Sequence, residues 1–198
     1  MSHPKNYFNK VKEIINHINL EKISELASKL SEVRKKNGRI FFIGVGGSAG
    51  NCSHAVNDFR KLCEIECYSP SDNQSELTAR INDEGWDTCY SEWLKISKLK
   101  TNDCLFIMSV GGGDLEKKIS VNIINSIKYA QKVDCKIFGI VGKENGFAAK
   151  SSKDIIVVPN VDEKLITPLT EGFQAIIWHC LVSDPKLQTK KTYWKEID

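Results

Sequence analysis

The chain has 198 residues, 41% of them apolar, enough to bury one sizeable core and too few for two catalytic domains. Its 28 basic and 25 acidic side chains nearly cancel, and no Lys/Arg block interleaved with aromatics occurs, so the electrostatic footprint of a nucleic-acid binder is missing. The seven cysteines are odd in number and scattered through apolar runs such as DCLFIMSV and DCKIFGIVG, which points to reduced, mostly buried thiols and not to a disulfide framework. Cys63 and Cys67 have no second pair nearby and make a poor zinc knuckle. The opening MSHPKNY lacks the apolar core of a signal peptide, and no run approaches the roughly 20 apolar residues of a membrane span. A cytosolic protein with no membrane or nucleic-acid partner is expected.

In chain order, Val11, Ile14, Ile15, Ile18, Leu20, Ile23, Leu26, Leu30 and Val33 recur at near-helical spacing, and Asn37-Gly38 follows as a stop. Residues 1–37 are therefore expected to form one or two amphipathic helices that pack on the domain or on partner subunits, with the domain proper over 38–198. Beyond them, RIFFIGVG, DCLFIMSV, KIFGIVG and DIIVVP are short, nearly continuous apolar runs, as strands covered on both faces require. IECYSP is a weaker strand candidate. Helix-compatible stretches separate them: one through His54, one through Thr78, one over about 115–132 and a last one over about 168–182, carrying Phe173, Ile176, Ile177, Trp178 and Leu181. This alternation predicts a parallel α/β sheet, whose ligands bind beyond the carboxyl ends of the strands, at the loops after Ile43, Met108 and Ile140.

The first of those loops, Gly44-Val45-Gly46-Gly47-Ser48-Ala49, satisfies the dinucleotide pattern G-x-G-x-x-G/A. Three features weigh against that reading. The following helix is polar where dinucleotide folds pack tightly, at Asn51, Ser53, His54, Asn57 and Asp58; there is no room for a substrate domain; and a second glycine loop follows a later strand. The glycines let the backbone approach a ligand, and Ser48 could cap the helix whose N–H groups face an oxygen-rich group.

His54 and Asp58 are four apart and share one helical face, either as ligands of one ion or as an exposed pair worth a few tenths of a kcal/mol. On the last helix Glu171, Gln174 and His179 interrupt an apolar pattern. Eight residues of helix rise about 12 Å, so Glu171 and His179 cannot both reach one ion from mid-helix. The loop Ser109-Val110-Gly111-Gly112-Gly113-Asp114 offers a second strand-to-helix mouth for an anion, with Asp114 an ordinary N-cap residue in the plain alternative.

The order of these parts resembles the sugar isomerase (SIS) domain, and more closely the phosphoheptose (sedoheptulose 7-phosphate) isomerases. The matching positions are Val45-Gly46-Gly47-Ser48, then His54 and Asp58, then Thr78-Ala79-Arg80-Ile81-Asn82-Asp83, then Ser109-Val110-Gly111-Gly112, then Glu171 and His179. The resemblance implies a three-layer α/β/α sandwich with a flavodoxin-like parallel sheet and leading helices. It also implies a homotetramer with sites at subunit interfaces, and a zinc ion at His54, Asp58, Glu171 and His179. Two carboxylates make that set more anionic than the family's and leave iron or manganese open.

The implied reaction interconverts a ketose and an aldose phosphate, in heptose precursor synthesis. Asp58 or Glu171 would serve as base and His179 as partner acid/base, while Asn82, Asp83 and the Gly46-Gly47 backbone hold sugar oxygens. The chain departs from the family at Val45 (for Asn), Asp58 (for Glu), Glu171 (for Gln), and at Val110, Gly111 and Asp114, where the phosphate loop carries hydroxyl residues. An Asp114 carboxylate beside a phosphate would repel it unless Lys117 or Lys118 offsets the charge. The alternative reading is a non-catalytic SIS module that binds a sugar phosphate for regulation.

Overall fold

The computed structural model describes residues 2–191; of the expected domain, residues 192–198 lie outside the described residues, as does residue 1 of the expected helical extension. Two helices open the chain, α1 (His3–His17) and α2 (Leu20–Lys35). They part where Asn19 leaves the helical conformation and its side chain accepts the Lys22 N–H at 2.8 Å, an N-cap that satisfies a donor with no intrahelical partner. The chain then alternates through β1 (Ile40–Ile43), α3 (Gly47–Cys63), β2 (Cys67–Tyr68), α4 (Gln74–Glu84), α5 (Cys89–Ile96), β3 (Cys104–Ser109), α6 (Val121–Lys132), β4 (Lys136–Val141), α7 (Phe147–Ser151), β5 (Ile155–Val157) and α8 (Ile166–Ser183), with one 3-10 turn at Pro70–Asp72.

The sheet has strand order β2-β1-β3-β4-β5 and every pairing is parallel. Successive strand residues point to opposite faces, and the core divides accordingly. Ile40, Phe42, Phe106, Met108 and Ile140 pack under α1, α2, α3 and α8. Phe41, Ile43, Leu105, Ile107 and Val141 pack under α5, α6 and α7. The result is a three-layer α/β/α sandwich. Burial on both faces is why the strand segments read as unbroken apolar runs. Among the described residues no helix is long and apolar enough to cross a membrane.

One element departs from expectation. α6 begins at Val121 and not near residue 115. Asp114 instead pairs with Ile119 in an isolated antiparallel bridge, with N–H to carbonyl distances of 3.0 and 2.9 Å in the two directions. Gly112 and Gly113 hold positive φ, as do Lys118 at 54° and Ser120 at 51°. Left-handed residues at 118 and 120 cannot continue a right-handed helix, so 114–120 closes into a turn of its own. Asp114 Oδ1 accepts the N–H groups of Glu116 and Lys117, each at 3.0 Å. It caps that single turn, and its carboxylate folds back onto its own segment.

Candidate metal and substrate site

α3 and α8 lie side by side on one face of the sheet and run in the same direction, because matching contacts recur along both. Glu171 lies against Gly47, Asn51 bonds to α8 at Glu171 and Gln174, and His54 meets Trp178 and His179. Asn51 sets this register: its Nδ2 donates to the Glu171 carbonyl and to Gln174 Oε1, both at 3.0 Å. Neither helix alone marks Asn51 as functional; only the pairing of the two does.

With that register, His54, Asp58 and His179 converge, each offering one ligand atom within 4.8 Å of the others. Asp58 Oδ2 lies 3.9 Å from His54 Nε2 and 4.0 Å from His179 Nε2, too far for direct hydrogen bonds. Its other oxygen accepts from Asn57 Nδ2 at 2.8 Å. His179 Nδ1 is 2.7 Å from the Ala175 carbonyl. A carbonyl oxygen can only accept, so Nδ1 carries the proton and the neutral ring presents its Nε2 lone pair to the cluster. His179 also stacks on the buried Trp178 with ring centroids 3.5 Å apart, and His54 meets the same indole edge-on at 4.7 Å. Trp178 thus fixes both imidazole planes.

These residues could hold a divalent ion. Two nitrogens and one carboxylate oxygen suit zinc, and three protein ligands with a remaining open position is the pattern of catalytic rather than structural sites. Two ligand atoms each about 2.1 Å from a tetrahedral ion lie about 3.4 Å apart, a separation that small side-chain rotations reach from the spacing seen here.

Glu171 stands outside the cluster. It sits two helical turns before His179, and its carboxylate lies over the first turn of α3, where a Cβ on Gly47 would come 2.5 Å from Glu171 Oε2. Glycine at 47 is what admits the carboxylate to the positive end of that helix. Ser48 does not cap α3. Gly46, at φ 63°, occupies the cap position, so Ser48 falls inside the first turn and its hydroxyl is buried without a hydrogen-bond partner among the described residues. Val45 packs partly buried against the core on the other face, and Tyr90 Oη donates to the Gly44 carbonyl at 2.8 Å, bracing the loop.

The remaining expected positions lie apart from the cluster. Asn82 and Asp83 are exposed near the end of α4, where Asn82 Nδ2 donates to Asp83 Oδ1 at 2.7 Å. In the second glycine loop the Ser109 hydroxyl accepts the Gly112 N–H at 3.0 Å. The carbonyls of Gly112 and Gly113 accept the Ala148 and Phe147 N–H groups that open α7, at 2.9 Å each. Gly111 and Val110 are half-buried beside it. Of the loop amides expected to cradle an anion, those of Gly112 and Asp114 are already engaged.

A parallel sandwich with glycine loops at the carboxyl ends of β1 and β3 and a polar cluster across two parallel helices defines a class of ligand-binding α/β domain, and residues 6–142 match the family model of the SIS domain. The chain belongs to the SIS-domain family, and its relatives mark it as a divergent member close to the phosphoheptose isomerases. It is 29% identical over 169 residues to the phosphoheptose isomerase of Aliarcobacter butzleri, covering 82% of this chain and 85% of that one. It is 27% identical over 161 residues to the lincomycin biosynthesis protein LmbN of Streptomyces lincolnensis, where the match takes in 78% of this chain and only 58% of the relative. The fold matches the solved phosphoheptose isomerase of Neisseria gonorrhoeae with a TM-score of 0.77 at 22% identity, over 91% of this chain and 93% of that one.

Proposed function

We infer that the chain is a sugar-phosphate aldose-ketose isomerase of the phosphoheptose isomerase type, serving heptose precursor synthesis in the cytosol, with a zinc ion held by His54, Asp58 and His179. The convergence of these three side chains from two helices distant in sequence carries the reading. A module that merely bound a sugar would have no use for two imidazoles fixed by one indole around one carboxylate.

Isomerisation moves a proton between adjacent carbons through an enediol, which needs a base at the carbons and positive charge where an oxygen becomes negative. When bound, the ion supplies that charge as a Lewis acid. Asp58 is the base. One oxygen faces the two imidazoles, and the other is held only by the exposed Asn57 amide, which a substrate can displace, so a single carboxylate can take the proton from one carbon and return it to the next. His54 and His179 hold their planes against Trp178 and, with Asp58, would hold the ion. Glu171, about 12 Å of helix rise from His179, is out of reach of the same carbons and accepts hydrogen bonds from sugar hydroxyls at the Gly46-Gly47 end.

The apolar faces left open support association of chains, in keeping with a homotetramer that brings Asn82 and Asp83 of one subunit to a neighbour's site. Phe8, Ile15 and Leu20 on the leading helices are 63%, 54% and 69% exposed, and Ile176 on α8 is 55% exposed, apolar surface that a neighbouring subunit could cover.

The test is turnover of sedoheptulose 7-phosphate by zinc-loaded protein, with loss of at least a hundredfold in Asp58→Asn and in His179→Ala. The regulatory reading, favoured by Val110, Gly111 and Asp114 in the second loop, predicts saturable binding of sugar phosphates with no turnover by the unmodified chain.

A further inference from the structure

We propose that Trp86, in the loop between α4 and α5, is the platform on which the carbon body of the sugar stacks. Among the described residues Trp93 and Trp178 are buried, at 7% and 0% exposure, whereas Trp86 is 41% exposed. Its indole N–H donates to no described residue. A side chain of this size normally buries its faces and pairs its N–H, yet the backbone around Trp86 is firmly held. Gly85, at φ 83° and ψ 158°, ends α4 in a conformation suited to glycine, and its N–H donates to the Ile81 carbonyl at 3.1 Å. The Gly85 carbonyl accepts the Cys89 N–H at 3.2 Å, and the Asp87 carbonyl accepts from Asn125 Nδ2 at 2.8 Å. The loop therefore holds in place an indole that its own chain leaves partly uncovered.

Its place in the fold points to a ligand. Trp86 meets Tyr90 with ring centroids 5.8 Å apart, and the Tyr90 hydroxyl donates to the carbonyl of Gly44, the residue that follows β1. The 85–88 loop thus stands at the carboxyl edge of the sheet, where α/β domains take their ligands, and it continues directly from Asn82 and Asp83. The flanking charges select the chemistry. Asp83, Glu84 and Asp87 are all exposed, and among the described residues only Glu84 has a cationic partner, Arg80 at 3.2 Å. Carboxylates repel a phosphate and accept from hydroxyls. The group over the indole is therefore a neutral, hydroxyl-bearing body with an apolar C–H face. Resting on the isomerase reading, that body is the carbon chain of the sugar phosphate, with its phosphate directed away from Trp86.

Calorimetric titration of the zinc-loaded full chain with sedoheptulose 7-phosphate and with orthophosphate tests this, beside steady-state turnover. Trp86→Ala should weaken the sugar phosphate about tenfold, the loss expected when roughly 60 Å2 of apolar contact returns to water. Trp86→Phe should recover most of that affinity, and orthophosphate should bind all three chains alike. In turnover KM should rise by the same factor with kcat little changed, the mark of a contact made equally in the ground and transition states. Sugar binding should alter the tryptophan emission of the unmodified chain but not that of Trp86→Phe. Undiminished sugar affinity in Trp86→Ala, an equal loss for orthophosphate, or an emission change kept in Trp86→Phe overturns the proposal. Sugar binding without turnover by the unmodified chain sinks the isomerase reading instead, and the affinities of the variants still decide the role of Trp86. No saturable sugar binding by the unmodified chain overturns both.

Discussion

Zinc should stabilise the folded chain through His54, and this can be measured without substrate. A ligand that binds only the native state adds RT ln(1 + [L]/Kd), about 2.7 kcal/mol at a free concentration about a hundred times Kd. At roughly 2–4 °C per kcal/mol for a domain of this length, the melting temperature should rise by about 5–11 °C. His54→Ala is the cleaner perturbation of the two imidazoles. The His54 side chain is 58% exposed and touches Trp178 only edge-on, so its removal from metal-free protein should cost no more than about 0.5 kcal/mol. His179→Ala removes a ring stacked flat on a buried indole and mixes packing with ligation. Scanning fluorimetry with and without zinc, in chelator-treated protein, gives the readout. Because ligation needs neutral imidazole, the zinc shift should also shrink as pH falls. A His54→Ala chain that keeps the full zinc shift would refute the cluster as the metal site.

Gly47→Ala should leave stability nearly unchanged and weaken sugar binding. Alanine is the better helix former by up to about 1 kcal/mol, but its Cβ drives the Glu171 carboxylate off the loop; Glu171→Gln should raise KM in the same way while zinc content stays at one per chain. A thiol reagent at neutral pH should count one cysteine per native chain, the exposed Cys180, and seven after denaturation. Burial pushes the Cys89 thiol up to about 11 and those of Cys63 and Cys135 to about 12. A raised thiol value favours the protonated, folded form, so this stability is full below the ordinary value of 9.0 and is lost as pH climbs from there towards 12. Cys135→Ala should make the decline in denaturation midpoint above about pH 9 shallower.

How much of this was legible in the letters depends on how local each cause is. Strands buried on both faces announce themselves as apolar runs, and α8 begins two residues before the expected start and ends one after the expected end, because its boundaries rest on local periodicity. The 114–120 turn was not legible: Lys118 and Ser120 are ordinary helix-compatible letters, and their left-handed backbone shows only in the folded chain. Ser48 misled for a related reason. A serine after glycines reads as a cap, yet Gly46 takes the cap position and turns the hydroxyl inward.

Glu171 is the instructive case, since helix rise keeps it and His179 from sharing one ion only where both stand mid-helix, and cannot say which of them then leaves. That choice is made by the parallel packing of α3 and α8, with Asn51 bonded to Glu171 and Gln174 at one end and Trp178 in ring contact with both imidazoles at the other. Slide α8 by one turn and Asp58 faces Ala175 in place of His179, so the chemistry of the cluster depends on a register that no single helix encodes.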